Sequence, residues 1–306
     1  MSMRGLMLTI TYSCDNACIF CATGIPYKKN NDLSLRQIIN ILEQENVDRN
    51  TVVCLNGGEP LVRKDIIRVL EIIKKKGAKI KILTNGVRLS DFKFASIIAN
   101  YVDHFYVSMY AHTADLYGFL TGVESNYYKM VEGIKNLFRL KEKSCIDIKL
   151  LVCKPTAPYL KEMVSFISAQ FPKPRKIIIT GLTIAGSAER NFDRVGIRLT
   201  NAIPFIKEAV DYAVSLGFDV LLRCIPPCMF DDPLYHRFCL GGSKVERSFL
   251  DEAIIYEQGI FGGGFPIENY GPECKNCIFY RRCMGLWEGY ALKYGYDELR
   301  PVKLFV

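Results

Sequence analysis

The stretch SCDNACIFC, Ser13 to Cys21, places three cysteines in the spacing C-x3-C-x2-C directly after an apolar run near the start of the chain. Its interior residues Asp15, Asn16 and Ala17 include no proline and no β-branched side chain, so the backbone is free to curl. Thiolates in such a loop can each take one iron of a cubane cluster. Three ligands leave a fourth iron open, and an open coordination position is what separates a reactive metal site from a structural one. A zinc cage would need a fourth ligand close by, and the stretch supplies none. The competing reading, three buried core thiols, follows from how often free cysteine is buried. It suits Cys54, Cys145 and Cys153, each within a predicted strand, better than it suits a loop cluster.

A second stretch with chemical potential is NGGEP, Asn56 to Pro60. Gly57 and Gly58 let a backbone approach a ligand closely, Glu59 brings a carboxylate that suits an ammonium, and Pro60 stiffens the turn. Alone, such a run is an ordinary turn. Further cysteines gather in the tail, where Cys274, Cys277 and Cys283 have the spacing C-x2-C-x5-C and Cys224, Cys228 and Cys239 stand upstream. Four thiolates close a site, and from the residues alone zinc and an iron–sulfur cluster fit it equally well.

These residues must be held by something, and the pattern around them is regular. Short β-branched apolar runs (LMLTIT, TVVCLN, KIKILT, HFYVSM, CIDIKLLV, KIIIT and, more weakly, FDVLL) alternate with amphipathic stretches. The periodicity predicts helices over Ser34–Gln44, Lys64–Lys76, Phe92–Ala99, Lys129–Lys143, Leu160–Gln170 and Ile203–Ser215. Ser34 with Gln37 forms a capping box, and Gly77 and Gly217 stand where helices should stop. Repeated strand-then-helix order with nearly all-apolar strands predicts an α/β fold with a parallel sheet wound in right-handed crossovers. Periodicity does not choose between an open sheet and a barrel. In either, ligands lie beyond the carboxyl ends of the strands. That rule brings the cysteine loop, GGEP, Thr84 with Asn85, and Ser108 to one face.

The chain has 306 residues, 49% of them hydrophobic and 24% charged, enough for one large domain and an appendage. The first residues are too polar for a signal peptide, and no apolar run reaches the roughly 18 residues of a spanning helix. With twelve cysteines in a chain of this size, metal or redox chemistry is expected rather than a disulfide framework, and a cytoplasmic address with no membrane partner. The net charge of +8 sits in short groups such as YKKN and IKKKGAKIK near predicted helix ends. It permits an RNA partner but does not indicate one, and nucleic acid is not expected.

The cysteine loop and GGEP together resemble the radical S-adenosylmethionine (radical SAM) superfamily. CDNACIFC matches its C-x3-C-x-aromatic-C loop, with Phe20 as the aromatic residue, and NGGEP resembles its motif for the amino group of the methionine moiety. The resemblance covers roughly residues 4 to 220 and implies a partial (β/α)6 TIM-like barrel over 1–222. It implies that Cys14, Cys18 and Cys21 hold a [4Fe–4S] cluster that binds SAM. It places Phe20, Gly57, Gly58, Glu59, Pro60, Thr84, Asn85 and Ser108 around the cofactor; for the last three, strand termination and turn chemistry explain the residue types equally well. The implied chemistry is reductive cleavage of SAM to a 5'-deoxyadenosyl radical that takes a hydrogen atom from a substrate carbon. An electron donor such as a flavodoxin or ferredoxin would then be a partner.

The tail resembles the SPASM and twitch extensions of the same superfamily. It implies a cysteine-rich domain over 223–306 with one auxiliary [4Fe–4S] cluster on Cys274, Cys277, Cys283 and a fourth thiolate. Cys228 is preferred because IPPC fixes its backbone, whereas Cys224 is read as continuing a strand. Trp287 and Glu288 stand where a full SPASM pattern continues to one more cysteine. Such enzymes most often modify peptides, by crosslinking, thioether formation or epimerisation, which puts a peptide substrate first. The first strand begins almost at Met1, which leaves no room for a leader-binding domain unless a separate protein supplies one. A small molecule, such as a nucleotide, sugar or amino acid derivative, is the second reading. A non-enzymatic, zinc-stabilised binding module is the reading from another class. His104, His112 and His236 lack metal-ligand spacing and are read as surface or hydrogen-bonded residues. Tyr110 and His112, in YAHTADLYGFLTG, are candidates for a substrate loop.

Overall fold

The computed structural model describes residues 4–24, 32–240, 254–256 and 269–303. Seven strands follow one another across a single parallel sheet: β1 (Arg4–Thr11), β2 (Thr51–Gly57), β3 (Lys79–Thr84), β4 (His104–Ser108), β5 (Ile146–Val152), β6 (Lys176–Gly181) and β7 (Val220–Arg223). An eighth short strand, β8 (Ile254–Tyr256), pairs in parallel with the free side of β1. Each strand pairs with its neighbour in sequence, and no pairing joins β7 to β8 among the described residues. The sheet is therefore an open, partial TIM-like barrel of the kind that right-handed βα crossovers generate.

The helices between the strands cover the outer face. They are α1 (Leu35–Gln44), α2 (Ile66–Lys75), α3 (Phe92–Tyr101), α4 (Ala114–Thr121), α5 (Asn126–Leu140), α6 (Leu160–Gln170), the short α7 (Ser187–Arg190) and α8 (Phe192–Val195), and α9 (Leu199–Ser215). The capping box expected at Ser34 is complete: the Gln37 amide donates to the Ser34 hydroxyl while the Gln37 side chain accepts from the Ser34 amide. Alternate strand residues such as Leu6, Leu8 and Ile10 are buried under these helices in one continuous apolar core. The opposite faces of β3, β4, β6 and β7 meet in a small inner cluster of Leu83, Tyr106, Ile178 and Leu221 that fills part of the barrel.

Several elements differ from the sequence expectation. The helix expected from Lys129 to Lys143 spans Asn126–Leu140 instead. The presumed substrate loop is half helix: Thr113 accepts from the Leu116 amide and opens α4, and Gly122, with φ +73°, closes it. Helix α9 starts at Leu199 and runs through Pro204, four residues before the expected start. Its first amides are held from outside, Leu199 by the Tyr290 hydroxyl at 2.7 Å and Thr200 by the Glu298 carboxylate at 2.9 Å. That distant capping offsets the carbonyl that Pro204 leaves without a donor. Cys145 is half-buried in a 3-10 turn ahead of β5, not in a strand.

Beyond β7 the chain continues through α10 (His236–Leu240), and residues 269–303 carry α11 (Glu288–Tyr294). Leu286, Tyr290 and Leu299 join the same apolar core as the barrel strands. A Cβ on Gly289 would sit 1.9 Å from the Ile184 carbonyl oxygen, so α11 lies directly on the segment after β6. The glycine-rich stretch Ile260 to Pro266 and the basic YKKN lie outside the described residues. No helix among those described is long and apolar enough to cross a membrane.

Candidate active site

The carboxyl ends of β1 to β4 bring the cysteine loop, the GGEP turn, Thr84 with Asn85, and Ser108 to one rim. The cysteine loop is pinned on both sides. Asn126 at the start of α5 donates to the Asp15 carbonyl at 2.9 Å and to the Asn16 side chain at 3.0 Å, and Asn16 donates to the Tyr117 hydroxyl at 3.0 Å. The Ala17 and Ile19 amides donate to the carbonyls of Thr121 and Leu120 at the end of α4. From the other side, Ser187 donates its amide to the Cys21 carbonyl at 2.8 Å, and Asn191 donates its side-chain amide to the Ile19 carbonyl at 3.1 Å. Asn126, Asn191 and α4 escaped sequence reasoning because their partners lie far away along the chain.

Cys14, Cys18 and Cys21 are half-buried free thiols. Burial pushes Cys14 up to about 12, aided by the charges of Glu59 and Asp15, although the Asn16 amide donates to its sulfur; burial likewise holds Cys18 well above its ordinary value. A site like this disfavours bare thiolates, and a bound metal cation reverses that balance. Phe20 is buried with its ring 4.8 Å from Tyr110, so it packs beneath the loop.

The GGEP residues brace the rim. Gly57 has φ +141°, and a Cβ there would fall 2.2 Å from the Thr11 carbonyl oxygen, so β1 itself demands the glycine. The Gly58 amide donates to the same carbonyl at 2.8 Å. Glu59 is buried and accepts three hydrogen bonds, from the Leu61 amide (3.0 Å), the Thr84 hydroxyl (2.8 Å) and the Asn85 amide (2.7 Å). Burial nonetheless raises this carboxyl to about 7. A carboxylate offers about four lone pairs, so the ammonium contact expected of Glu59 has one left to use. Pro60 opens a buried 3-10 turn, Pro60–Val62.

Thr84 spends its hydroxyl on Glu59 and on the Gly86 amide, and Asn85 bridges to Asp15 at 2.6 Å while accepting from the Val87 amide. Their turn chemistry is thus present. Ser108 lies buried at the end of β4 against the Tyr110 hydroxyl. The residue that sequence reasoning missed is Asp15. Its Oδ2 is buried without a hydrogen-bond partner, a carboxylate oxygen within the cysteine loop that asks for a donor. This orphaned acceptor beside three thiols fits a positively charged amino group bound next to a cluster.

Lower in the barrel, buried Asp147 accepts from Arg175 and from His104, at 2.8 Å in each case. Burial alone would raise Asp147, but these two donors bring it below its ordinary value, while burial lowers His104 and keeps the imidazole a neutral donor. His236 meets the Phe230 carbonyl at 3.2 Å. The His112 ring lies tilted against Tyr159, centroids 5.6 Å apart, and its Nδ1 is without a partner. Tyr127 donates to the His112 carbonyl at 2.6 Å, tying that turn to α5.

In the tail, Cys228, Cys274, Cys277 and Cys283 lie within electrostatic reach of one another, and Cys239 lies beside Cys228 and Cys283. Burial pushes Cys228 up to about 11 and Cys283 up to about 12. No three His, Cys, Asp or Glu side chains among the described residues converge tightly enough to hold one metal ion. Cys224 does not continue β7 as expected. It turns left-handed at φ +57° and is buried against Thr180 and Trp287, close to Arg223 and Lys149.

Residues 8–167 match the family model described as the radical SAM superfamily. Over 154 residues the chain is 30% identical to a protein of Saccharolobus islandicus (strain Y.N.15.51 / Yellowstone #2) described as "Probable GTP 3',8-cyclase", covering 50% of this chain and 46% of that one. The matched region thus spans about half the length of these curated relatives. Among solved structures, Streptococcus suis SuiB bound to precursor peptide SuiA is similar with a TM-score of 0.63 at 17% identity, over 98% of this chain and 75% of that one. The protein anSMEcpe, with bound AdoMet and a peptide, is similar with a TM-score of 0.58 at 13% identity, over 97% and 96%. At these identities the structural likeness concerns the fold.

Proposed function

Because this chain belongs to the radical SAM superfamily, we propose that it cleaves S-adenosylmethionine reductively and removes a hydrogen atom from a carbon of a substrate seated in the barrel mouth. The observation that carries this reading is the meeting of Cys14, Cys18 and Cys21 with the orphaned Asp15 Oδ2 on one pinned rim. Family membership makes the chain an enzyme and displaces the reading as a non-enzymatic zinc module. When bound, the [4Fe–4S] cluster supplies the electron that splits SAM into methionine and a 5'-deoxyadenosyl radical. Cys14, Cys18 and Cys21 would hold three of its irons.

The chain's own residues position and shield. Asp15 Oδ2 and the last lone pair of Glu59 suit the amino group, and Ser108 stands at the neighbouring strand end for a carboxylate or ribose. Phe20 and Tyr110 close the space beneath the loop, shielding the site from solvent. In the tail we assign Cys228, Cys274, Cys277 and Cys283 to one auxiliary cluster, and residues 223–306 to the domain that carries it.

Two substrate classes have support. A small molecule is favoured by the relatives described as probable GTP 3',8-cyclases, because they share sequence and not only fold with this chain. A peptide is supported by two neighbours that carry peptides, over nearly the whole chain but at 17% and 13% identity. We place the small molecule first, reversing the order drawn from the tail motif.

The test is made without oxygen. Iron, sulfide and zinc are counted per chain after reconstitution, and 5'-deoxyadenosine is measured on adding SAM and a reductant. About eight irons with nucleoside release is the expected result. About four irons with zinc would make the tail site structural. Zinc alone with no cleavage would overturn the proposal.

A further inference from the structure

Inside the barrel, one layer below the cysteine rim, two cations stand close together with thiols, those of Cys18, Cys21 and Cys224, rather than a paired carboxylate nearby. Lys149 on β5 pairs in register with Ser108 and Ile178, and Arg223 on β7 pairs with Thr180 on β6, so both side chains enter the lumen from nearby strands. Neither makes an ion pair to a carboxylate among the described residues. Arg223 donates once, from Nη1 to the Tyr106 hydroxyl at 3.4 Å, and its Nε is buried with no partner. The Lys149 ammonium has the Tyr106 ring at 5.9 Å. The nearby Asp147 is already engaged by Arg175 and His104. Both side chains are half-buried, and the Arg223 Nε is fully enclosed.

A largely buried cation without a carboxylate partner is unfavourable, and a second one beside it makes it more so. A guanidinium also presents a planar fork matched to an oxyanion. We propose that Arg223 and Lys149 bind an oxyanion of the substrate, a carboxylate or a phosphate group, and so hang the substrate from the lumen with its reacting carbon toward the cysteine rim. Tyr106 completes the seat by orienting the Arg223 fork. The inference rests on the radical SAM reading for the direction in which the substrate points, but the anion site itself stands on these side chains.

The experiment uses the reconstituted full chain under argon. Sodium pyrophosphate and sodium malonate are titrated calorimetrically at fixed ionic strength, with SAM affinity measured in parallel. The wild type should bind one of the two anions. Arg223→Gln and Lys149→Met should each weaken that binding by about tenfold or more, with SAM affinity and iron content within about twofold of wild type. Arg223→Lys, which keeps the charge but loses the fork, should lie between. Without ligand, Arg223→Gln should melt higher than wild type, since an uncompensated charge is gone; a merely structural arginine would melt lower when replaced.

Preference for pyrophosphate identifies a phosphate-bearing substrate, and preference for malonate a carboxylate. No binding of either anion by the wild type, or equal binding by the variants, overturns the proposal. It is also overturned if the variants lose SAM affinity to the same extent, because the pair would then serve the cofactor's own carboxylate. Failure of the wild type to release 5'-deoxyadenosine would sink the functional reading and leave the anion result to be judged separately.

Discussion

Asn126 donates its side-chain amide to the Asp15 carbonyl at 2.9 Å, so the cysteine loop hangs from the first turn of α5. The same amide reaches the Asn16 side chain, making Asn126 the post around which the first half of the loop is wound. Replacing Asn126 with Ala leaves a buried carbonyl and a buried amide oxygen without donors, at a cost of about 1–3 kcal/mol. Loop order should suffer more than global stability. The expected outcome is reconstitution with markedly less iron on the rim site and unchanged secondary structure by circular dichroism; full iron loading would refute the anchoring role.

Cys228 and Cys239 compete for one role in the tail, since both lie beside Cys283. Cys228 also neighbours Cys274 and Cys277. Cys228→Ala should therefore lower the iron content by about four per chain, and Cys239→Ala should leave it unchanged. The reverse pattern, read by iron analysis and Mössbauer spectroscopy, would assign the ligand to Cys239.

Asp147 anchors the base of the lumen. Asp147→Asn removes the anion from a buried site where Arg175 remains, and the loss should be about 3–5 kcal/mol, measured as a fall in urea midpoint. The wild type carries a pH signature from the same pair. Asp147 is held below its ordinary value, so its contribution is present above the unfolded carboxylate range and fades as the pH falls through the lowered folded value. His104 is lowered by burial, so the unfolded chain takes up a proton first and stability also drops as pH falls below the ordinary imidazole range. Both terms destabilise in acid. Denaturation curves from about pH 8 to about pH 2 should show the His104 part first and the Asp147 part below about pH 4, and Asp147→Asn should lose the latter.

Glu298 caps a helix a hundred residues earlier in the chain. Its Oε1 accepts from the Thr200 amide at 2.9 Å and from the Thr200 hydroxyl at 2.6 Å, while the Tyr290 hydroxyl donates to its Oε2. Glu298→Ala should cost about 1–2 kcal/mol of stability, the usual worth of a helix cap. Limited proteolysis should show residues 269–303 released from the barrel earlier than in the wild type. An unchanged cleavage rate would mean that the apolar contacts of Leu286 and Leu299 suffice.

Much of the architecture is local and therefore legible. Seven apolar strands and their order follow from periodicity, because a parallel strand buried on both faces must be apolar along its length. The spacing of Cys14, Cys18 and Cys21 is likewise contiguous, so its chemistry can be read without coordinates. What hid were relationships between distant residues. Helix α4 is not legible in the sequence because its mixed composition has little amphipathic signal; burial of Tyr117 and Leu120 and the hydrogen bonds it accepts from the cysteine loop explain its place. The early start of α9 needed Tyr290 and Glu298.

The sequence by itself determined the sheet, the three-thiol loop and its superfamily resemblance, since each depends on neighbours along the chain. Only the tertiary structure decided what those parts surround. It turned Cys224 out of its strand and into the barrel wall, spent the Thr84 hydroxyl on Glu59, left Asp15 Oδ2 without a partner, and set Lys149 beside Arg223. The physical reason is that the energy of a buried polar group depends on which groups the folded chain places around it, and that is not written in its neighbours along the sequence.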